Sequence, residues 1–192
     1  MRALSKAAKR TIEVLITVVL IAGVTLGSQT LTPSIENVGQ KTNATGASEL
    51  EVAIVERVVD GDTIIVTLND QEQYVRLIGV DTPESVHPDE SRNTEAGSTA
   101  SEYTKSLLSE GSTVYLQKDT SDTDKYDRLL RYVWLEEPAS VNDESKIKSK
   151  MLNAILIQNG YAQAKPYEPD TTYADLFNSL ESTAQQVTLS SN

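Results

Sequence analysis

The sequence contains no cysteine and only one histidine, His87. The absence of cysteine excludes disulfide bonds, thiol nucleophiles and zinc–thiolate sites. A single histidine also excludes a histidine-rich metal site and argues against a Ser-His-Asp hydrolase. We therefore expect His87 to be a solvated loop residue without a catalytic role. Any metal would have to be held by oxygen, which favours hard cations such as Ca²⁺ and Mg²⁺.

Positive charge is also scarce. The 192 residues include 17 Lys and Arg against 28 Asp and Glu, for a formal net charge of −11. Non-specific affinity for nucleic acid usually rests on basic surfaces, so this balance argues against tight, sequence-independent binding. The same charge is typical of a solvated secreted protein. The length allows one ordinary domain and little else.

The N-terminus is organised differently from the rest of the chain. Four basic residues among the first ten precede an apolar run from Ile12 to Leu26. This arrangement predicts that residues 1–28 are an export signal peptide, or a membrane anchor if they are not cleaved. An uncleaved segment 11–31 has the ~20 residues needed to cross a bilayer, and its basic flank would stay cytoplasmic. We expect an extracellular protein, secreted or anchored to the outer face of the cytoplasmic membrane.

The remainder predicts a linker followed by a domain. Residues 29–48 are rich in small polar residues, which predicts a flexible linker, and the folded domain is expected over residues 49–188. The domain begins with three predicted strands joined by short turns, an antiparallel meander. These strands run from Val52 to Asp60, from Thr63 to Leu68 and from Gln73 to Val80.

Helical patterns alternate with two further strands after the meander. Apolar residues recur at helical spacing from Ala96 to Leu107. Two strands follow, at Thr113 to Gln117 and at Leu129 to Leu135. We interpret the polar stretch from Glu136 to Lys150 as a surface insertion, before a short buried helix at Met151 and an amphipathic one from Tyr173 to Ala184. Five short strands and about three helices predict an α+β fold dominated by β, a five-stranded OB-fold barrel.

The most informative residues lie at the strand ends of the meander. Asp60-Gly61-Asp62-Thr63 follows the first strand, and Val75-Arg76-Leu77-Ile78-Gly79-Val80 leads into Asp81-Thr82-Pro83-Glu84. Several carboxylates and one arginine are thus expected at neighbouring strand ends. Carboxylate oxygens suit Ca²⁺ or Mg²⁺, and the planar guanidinium of Arg76 can pair with a phosphate through two hydrogen bonds. Together they predict metal-assisted hydrolysis of a phosphodiester.

Each motif alone has a simpler structural explanation. Asp60-Gly61-Asp62 is more often a β-turn, and an arginine such as Arg76 is more often an exposed strand residue. The acidic segment 119–127 lacks the glycine and the glutamate of an EF-hand loop, so we interpret it as solvated. The coincidence of these motifs with Lys125-Tyr126-Asp127-Arg128 is what favours a functional site.

On these motifs, residues 51 to 186 resemble the thermonuclease, or staphylococcal-nuclease-like, family. The signatures at 60–63, 75–84 and 124–128 match the family in order and spacing. The resemblance implies an OB-fold, Ca²⁺-dependent phosphodiesterase that acts on single-stranded or frayed DNA and RNA and leaves 3′-phosphate ends. We expect a monomer, and the sequence indicates no protein partner.

The resemblance assigns the oxygen-bearing residues to the metal and to the attacking water. Asp62 and Asp81 correspond to the family's metal carboxylates, and the main-chain carbonyl of Thr82 corresponds to a third protein ligand. Waters and a phosphate oxygen would complete the coordination of Ca²⁺. Glu84 corresponds to the residue that activates or orients the water, and the sequence leaves open whether it is a true general base.

The resemblance assigns the basic and aromatic residues to the substrate. Arg76 and Arg128 correspond to the pair that grips the scissile phosphate, where guanidinium groups stabilise the negative charge that builds up during attack. Lys125 and Tyr126 correspond to contacts with the neighbouring terminal phosphate. Tyr167 corresponds to a tyrosine that stacks on a nucleotide.

Two departures from the family pattern affect these expectations. Asp127 stands where the family usually has glycine. Its carboxylate could pair with Arg128 and compete with phosphate, or it could point to solvent. We expect it to point to solvent. Residues 163–166 leave no clear counterpart of a second stacking tyrosine, so nucleotide affinity is expected to be weaker.

The alternative function is a non-catalytic nucleic-acid-binding OB-fold module. Such a module should lack several of five residues that are all present here, namely Asp62, Arg76, Asp81, Glu84 and Arg128.

Overall fold

The structure is a computed structural model that describes residues 50–85, 91 and 93–190. The predictions for residues 1–28 and 29–48, and for His87, lie outside the described residues. Among the helices that are described, none is long and apolar enough to cross a membrane.

The described chain forms seven strands and four helices. The strands are β1 (Leu50–Asp60), β2 (Thr63–Leu68), β3 (Gln71–Leu77), β4 (Val80–Asp81), β5 (Thr113–Gln117), β6 (Leu129–Trp134) and β7 (Gln163–Ala164). The helices are α1 (Glu95–Leu107), α2 (Glu144–Lys150), α3 (Leu152–Gln158) and α4 (Ala174–Ser190).

Five of these strands close into a barrel in the order β1-β2-β3-β6-β5. The first three form the predicted antiparallel meander, because short turns connect consecutive strands. The barrel closes where β3 pairs in parallel with β6, with Val75 opposite Leu129. The predicted five-stranded, OB-like barrel is therefore confirmed, and four helices rather than about three surround it.

A buried polar network joins the barrel to the start of α4. The indole nitrogen of Trp134, which is fully buried, donates to the Gln117 side-chain oxygen at 2.9 Å. The Gln117 amide nitrogen donates in turn to the Tyr173 hydroxyl at 3.0 Å, and that hydroxyl donates to the carbonyl of Val141 at 2.8 Å. Buried polar groups must be paired, and in the described part of the chain none of their side-chain atoms is left without a partner.

The third strand is shorter than predicted. We expected one strand from Gln73 to Val80, but β3 ends at Leu77 and the chain turns at Gly79, whose φ of 73° suits glycine. The turn releases β4 from the barrel, and β4 pairs with β7 instead. The buried side chain of Asn153 fixes the turn by donating to the Ile78 carbonyl at 2.9 Å. Asp81 consequently lies on a separate two-stranded sheet at the edge of the barrel.

The polar stretch from Glu136 to Lys150 is not only a surface insertion, as we expected. Its second half is the helix α2, whose first turn is capped by the Asp143 side chain, which accepts from the N–H of Ser145 at 2.9 Å. One apolar residue, Ile147, anchors this helix in the core and is 3% exposed. A single buried residue produces no helical periodicity, which is why the pattern concealed the helix.

Candidate active site

Asp62 connects the β1–β2 turn to the loop after β4. The carboxylate is almost fully buried, and its Oδ2 accepts from both the N–H and the hydroxyl of Thr82, at 3.0 and 3.1 Å. Its Oδ1 accepts from the hydroxyl of Thr63 at 3.1 Å. These hydrogen bonds hold two chain segments together that are twenty residues apart in sequence.

The guanidinium of Arg76 lies between the two aspartates that the sequence predicts as metal ligands. Its Nη1 is 2.5 Å from Asp62 Oδ2, and its Nη2 is 3.2 Å from Asp81 Oδ1. The Arg76 side chain is 18% exposed, so these ion pairs are only partly screened by water. The structure thus brings together three of the predicted site residues, although Asp81 comes from β4 and not from the end of β3.

A lysine that the sequence did not single out occupies the other side of Asp81. The Nζ of Lys165 is 2.7 Å from Asp81 Oδ2. Its backbone position is fixed, because Lys165 follows β7 directly and its N–H donates to the Gly79 carbonyl at 2.9 Å. The hydrogen bond that Lys165 donates to Asp81, together with the negative charge of Asp81, raises the pKa of the Lys165 ammonium. Both oxygens of Asp81 therefore have a cationic partner.

Helix α1 holds the backbone of Glu84. The N–H of Thr94, the N-cap residue, donates to the Glu84 carbonyl at 2.9 Å, while the Thr94 side chain caps the helix by accepting from the N–H of Gly97. A Cβ atom at Gly97 would lie 2.1 Å from the Glu84 carbonyl oxygen, so only glycine allows this approach. On the far side, the Ser85 hydroxyl donates to Asp60 at 2.6 Å. Sequence reasoning missed Thr94 and Gly97, although threonine before a helical pattern is an N-cap signal.

Arg128 is held by a carboxylate four residues before it. Its Nε and Nη2 are 2.8 and 2.7 Å from Asp124 Oδ2, while Asp124 Oδ1 accepts from the N–H groups of Tyr126 and Arg128. Burial alone would raise the pKa of Asp124, but the hydrogen bonds from Arg128 and Tyr126 together hold this pKa below its ordinary value. The pair leaves the other edge of the guanidinium available to an anion.

The interpretation of the acidic segment 119–127 as solvated is wrong for Asp119 and Asp124, which are half-buried, whereas Asp122 and Asp127 are exposed. Besides Asp124, Asp119 accepts from the Tyr132 hydroxyl at 2.9 Å, and Asp122 is 2.8 Å from the Arg131 guanidinium. The sequence shows the charges but not their partners, because the arginine and the tyrosine belong to β6. The segment is a set of structural ion pairs and hydrogen bonds.

Asp127 does not compete for Arg128. It is exposed, and the contacts of the described residues include no hydrogen bond or ion pair between its carboxylate and Arg128. Its φ is 61°, in the left-handed region that asparagine and aspartate tolerate better than other non-glycine residues. That backbone conformation explains why glycine suits this position. The expectation that Asp127 points to solvent is confirmed.

Six of the predicted residues share the wall of one cavity of about 370 Å³. These are Asp62, Arg76, Asp81, Thr82, Glu84 and Arg128. The other three line a neighbouring groove of about 500 Å³ and are Lys125, Tyr126 and Tyr167. Arg76 and Arg128 line both spaces. The tyrosine rings of the groove are largely exposed, Tyr126 by 68% and Tyr167 by 65%, and the Nζ of Lys125 lies 4.9 Å from the centre of the Tyr126 ring.

Comparison with known proteins agrees with this arrangement. The sequence pattern of the family described as "Staphylococcal nuclease homologue" matches residues 74–190. The chain belongs to this family. It is 40% identical to a thermonuclease of Staphylococcus intermedius over 139 residues, which cover 71% of this chain and 73% of the relative.

Two further relatives extend the comparison. A thermonuclease of Staphylococcus hyicus is 38% identical over 134 residues, covering 68% of this chain and 69% of the relative. An SPbeta prophage-derived endonuclease of Bacillus subtilis (strain 168), YokF, is 37% identical over 144 residues, covering 74% of this chain and 44% of the relative. This member of the staphylococcal nuclease homologues is accordingly a nuclease, and so a hydrolase.

The contact between α1 and Glu84 yields a first prediction, for Gly97→Ala. Alanine normally stabilises a helix relative to glycine, but the added methyl group must push α1 and the Glu84 backbone apart. We expect the free energy of unfolding to fall by about 1–3 kcal/mol, as for other overpacked sites. Cleavage should slow by about 10²-fold, because catalytic groups tolerate little displacement. Thermal unfolding and initial rates of DNA cleavage measure the two effects.

Ser98→Ala is the matched control, since Ser98 is exposed at the next position of the same helix. Its stability and rate should remain close to those of the unaltered protein. Unchanged cleavage by the Gly97→Ala protein would show that the packing of α1 does not position Glu84.

Proposed function

We propose that this chain is an exported, Ca²⁺-dependent nuclease that hydrolyses DNA and RNA and leaves 3′-phosphate ends. The observation that carries the proposal is one cavity lined by two arginines, a glutamate and three aspartates from separate segments of the chain. A phosphodiester needs cations for its oxygens and a base or orienting group for water, and these residues supply both.

The donor set of the cavity suits Ca²⁺. The carboxylates of Asp62 and Asp81 and the main-chain oxygen of Thr82 are hard ligands, and a flexible ion such as Ca²⁺ accepts waters in its remaining positions. In the described part of the chain, no three His, Cys, Asp or Glu side chains are grouped to hold a metal by themselves. We therefore assign the metal to two carboxylates and a carbonyl. When bound, Ca²⁺ would supply positive charge that stabilises the phosphate oxygens during attack.

The two arginines are proposed to bind the scissile phosphate. Each is held on one edge by carboxylates, Arg76 by Asp62 and Asp81 and Arg128 by Asp124, so neither needs to be ordered when substrate binds. A guanidinium carries five N–H donors, which leaves each arginine with donors for phosphate. Fixed donors of this kind stabilise developing negative charge without a reorganisation cost at the moment of reaction.

Glu84 is proposed to orient the attacking water and to accept its proton. Its backbone is fixed by Thr94 and by the packing of Gly97, and Glu84 lines the same cavity as both arginines. A proton acceptor that is rigidly placed beside the phosphate-binding groups can act on a water molecule in the same cavity. Its role differs from that of the arginines, since it acts on the nucleophile and not on the phosphate.

The central test is digestion of single-stranded DNA with Ca²⁺ and then with excess chelator. We expect cleavage only with Ca²⁺, with 3′-phosphate ends on the products. Glu84→Gln and Arg128→Ala should each lower the rate by about 10²–10³-fold, since each removes one preorganised group. Product ends are identified by their resistance to ligation and by mass spectrometry.

Matched controls lie outside the cavity. Glu72→Gln and Arg57→Ala alter an exposed ion pair between β1 and β3 and should leave the rate unchanged. Cleavage at the normal rate by both cavity variants would refute the assignment of the site. Binding of the strand without cleavage under any condition would support the binding-module alternative.

The ion pair between Lys165 and Asp81 predicts an effect on metal affinity. Because the ammonium occupies an oxygen of a proposed Ca²⁺ ligand, Lys165→Met should tighten Ca²⁺ binding. The gain should reach about fivefold at most, since an exposed ion pair is worth ~0.2–1 kcal/mol. Calorimetric titration of Ca²⁺ without nucleic acid measures it. Lys118→Met, which removes a lysine paired with Asp122, is the control and should change nothing. Weaker Ca²⁺ binding by Lys165→Met would contradict the assignment.

Export is proposed from the N-terminal sequence alone. The basic residues before the apolar run from Ile12 to Leu26 support a signal peptide or an anchor in segment 11–31. In a bacterial host, the full chain should be recovered outside the cytoplasm or on its membrane, and deletion of residues 1–28 should retain the domain inside. Cell fractionation and N-terminal sequencing decide between cleavage and anchoring. A full chain that stays in the cytoplasm would disprove the proposal.

A further inference from the structure

The two arginines separate two spaces that have different linings. Arg76 and Arg128 line both the cavity and the neighbouring groove. The groove carries the exposed rings of Tyr126 and Tyr167, which the family resemblance assigns to a phosphate contact and to a stacked nucleotide, respectively. The cavity is also lined by Val59 and Tyr74, neither of which lines the groove. A phosphate bound between the arginines would therefore have one space on each side of it.

Tyr74 is the one aromatic side chain among the residues that line the cavity. It precedes Arg76 by two positions on β3, and because side chains alternate along a strand, both project from the same face. The intervening Val75 is fully buried, whereas Tyr74 is 45% exposed. Tyr74 is opposite Ile65 of β2, which is itself buried, so the ring lies on a rigid sheet surface.

The charge of the cavity selects the kind of group that can lie on this ring. Apart from the arginines, the titratable residues of the wall are carboxylates, namely Asp60, Asp62, Asp81 and Glu84. A second phosphate would be repelled there, since like charges at short range are unfavourable. A nucleobase is neutral and flat, and every base can stack on an aromatic ring.

We infer that Tyr74 is the stacking platform for a second nucleobase, on the opposite side of the scissile phosphate from the base in the Tyr126–Tyr167 groove. The inference rests on the proposed function, because it takes Arg76 and Arg128 as the phosphate-binding pair. The substrate unit is then one phosphodiester with a base on each side. Each base has its own aromatic surface, and the arginines fix the phosphate between them.

The test uses three dinucleotide substrates: thymidylyl-thymidine and two analogues that each lack one of the two bases. Tyr74→Ala should lower kcat/KM for the complete dinucleotide by about tenfold, the loss expected for one stacked base. It should have no effect on the analogue that lacks the base on the Tyr74 side. Tyr167→Ala, which removes the groove tyrosine assigned to stacking, should show the reverse dependence. Tyr74→Phe retains the ring and should restore the rate, whereas Tyr74→Leu should not.

Gln73→Ala, at the preceding position of β3, is the control and should leave all three rates unchanged. Thermal unfolding establishes that each variant is folded. Equal losses by Tyr74→Ala on all three substrates, no loss on any, or sensitivity to the same base as Tyr167→Ala would overturn the inference.

A separate measurement keeps this inference distinct from the proposed function. If the unaltered protein cleaves none of the substrates, the nuclease mechanism fails, and binding of the same dinucleotides is measured by calorimetry. Weaker binding of the complete dinucleotide by Tyr74→Ala, with unchanged binding of the analogue lacking that base, would still support the platform. Identical binding of both would overturn it.

Discussion

The arrangement of the site depends on one guanidinium held between two carboxylates. Arg76 is part of the barrel, Asp62 belongs to the turn before β2, and Asp81 belongs to the small sheet outside the barrel. Without the arginine, the like charges of the two aspartates would lie close together without the cation that now separates them, which is unfavourable. The interaction therefore joins the barrel to the β4–β7 sheet and fixes the group that is proposed to meet the phosphate.

The position of Glu84 depends on a different constraint, the steric fit between its loop and helix α1. Its loop is held between α1 and Asp60, and the helix approaches so closely because Gly97 has no side chain. Electrostatics thus organise the side of the cavity that is proposed to bind metal and phosphate, whereas backbone packing organises the side that is proposed to hold the attacking water. The two supports meet at the β1–β2 turn, which carries both Asp60 and Asp62.

The features that could be predicted from the sequence are those that depend on residues close together in the chain. Alternating β-branched residues predicted the meander and the barrel, and the motifs around Asp62, Arg76 and Asp81 predicted that these side chains meet. The turn at Gly79 was missed because its apolar neighbours extend the strand pattern. Helix α2 was missed because only Ile147 is buried. Lys165 could not be found, since it is 84 residues from Asp81 and only the β4–β7 pairing brings them together.

The pairing of Lys165 with Asp81 also completes a local charge balance. Asp62 and Asp81 carry two negative charges, and Arg76 and Lys165 carry two positive ones, all within direct ion-pair distance. Many metal sites are assembled only when the ion arrives, because their ligands repel one another without it. Here the four charged side chains form a set with no net charge, and all four belong to the chain itself. We therefore expect the barrel to fold without the proposed Ca²⁺, because these carboxylates already have cationic partners.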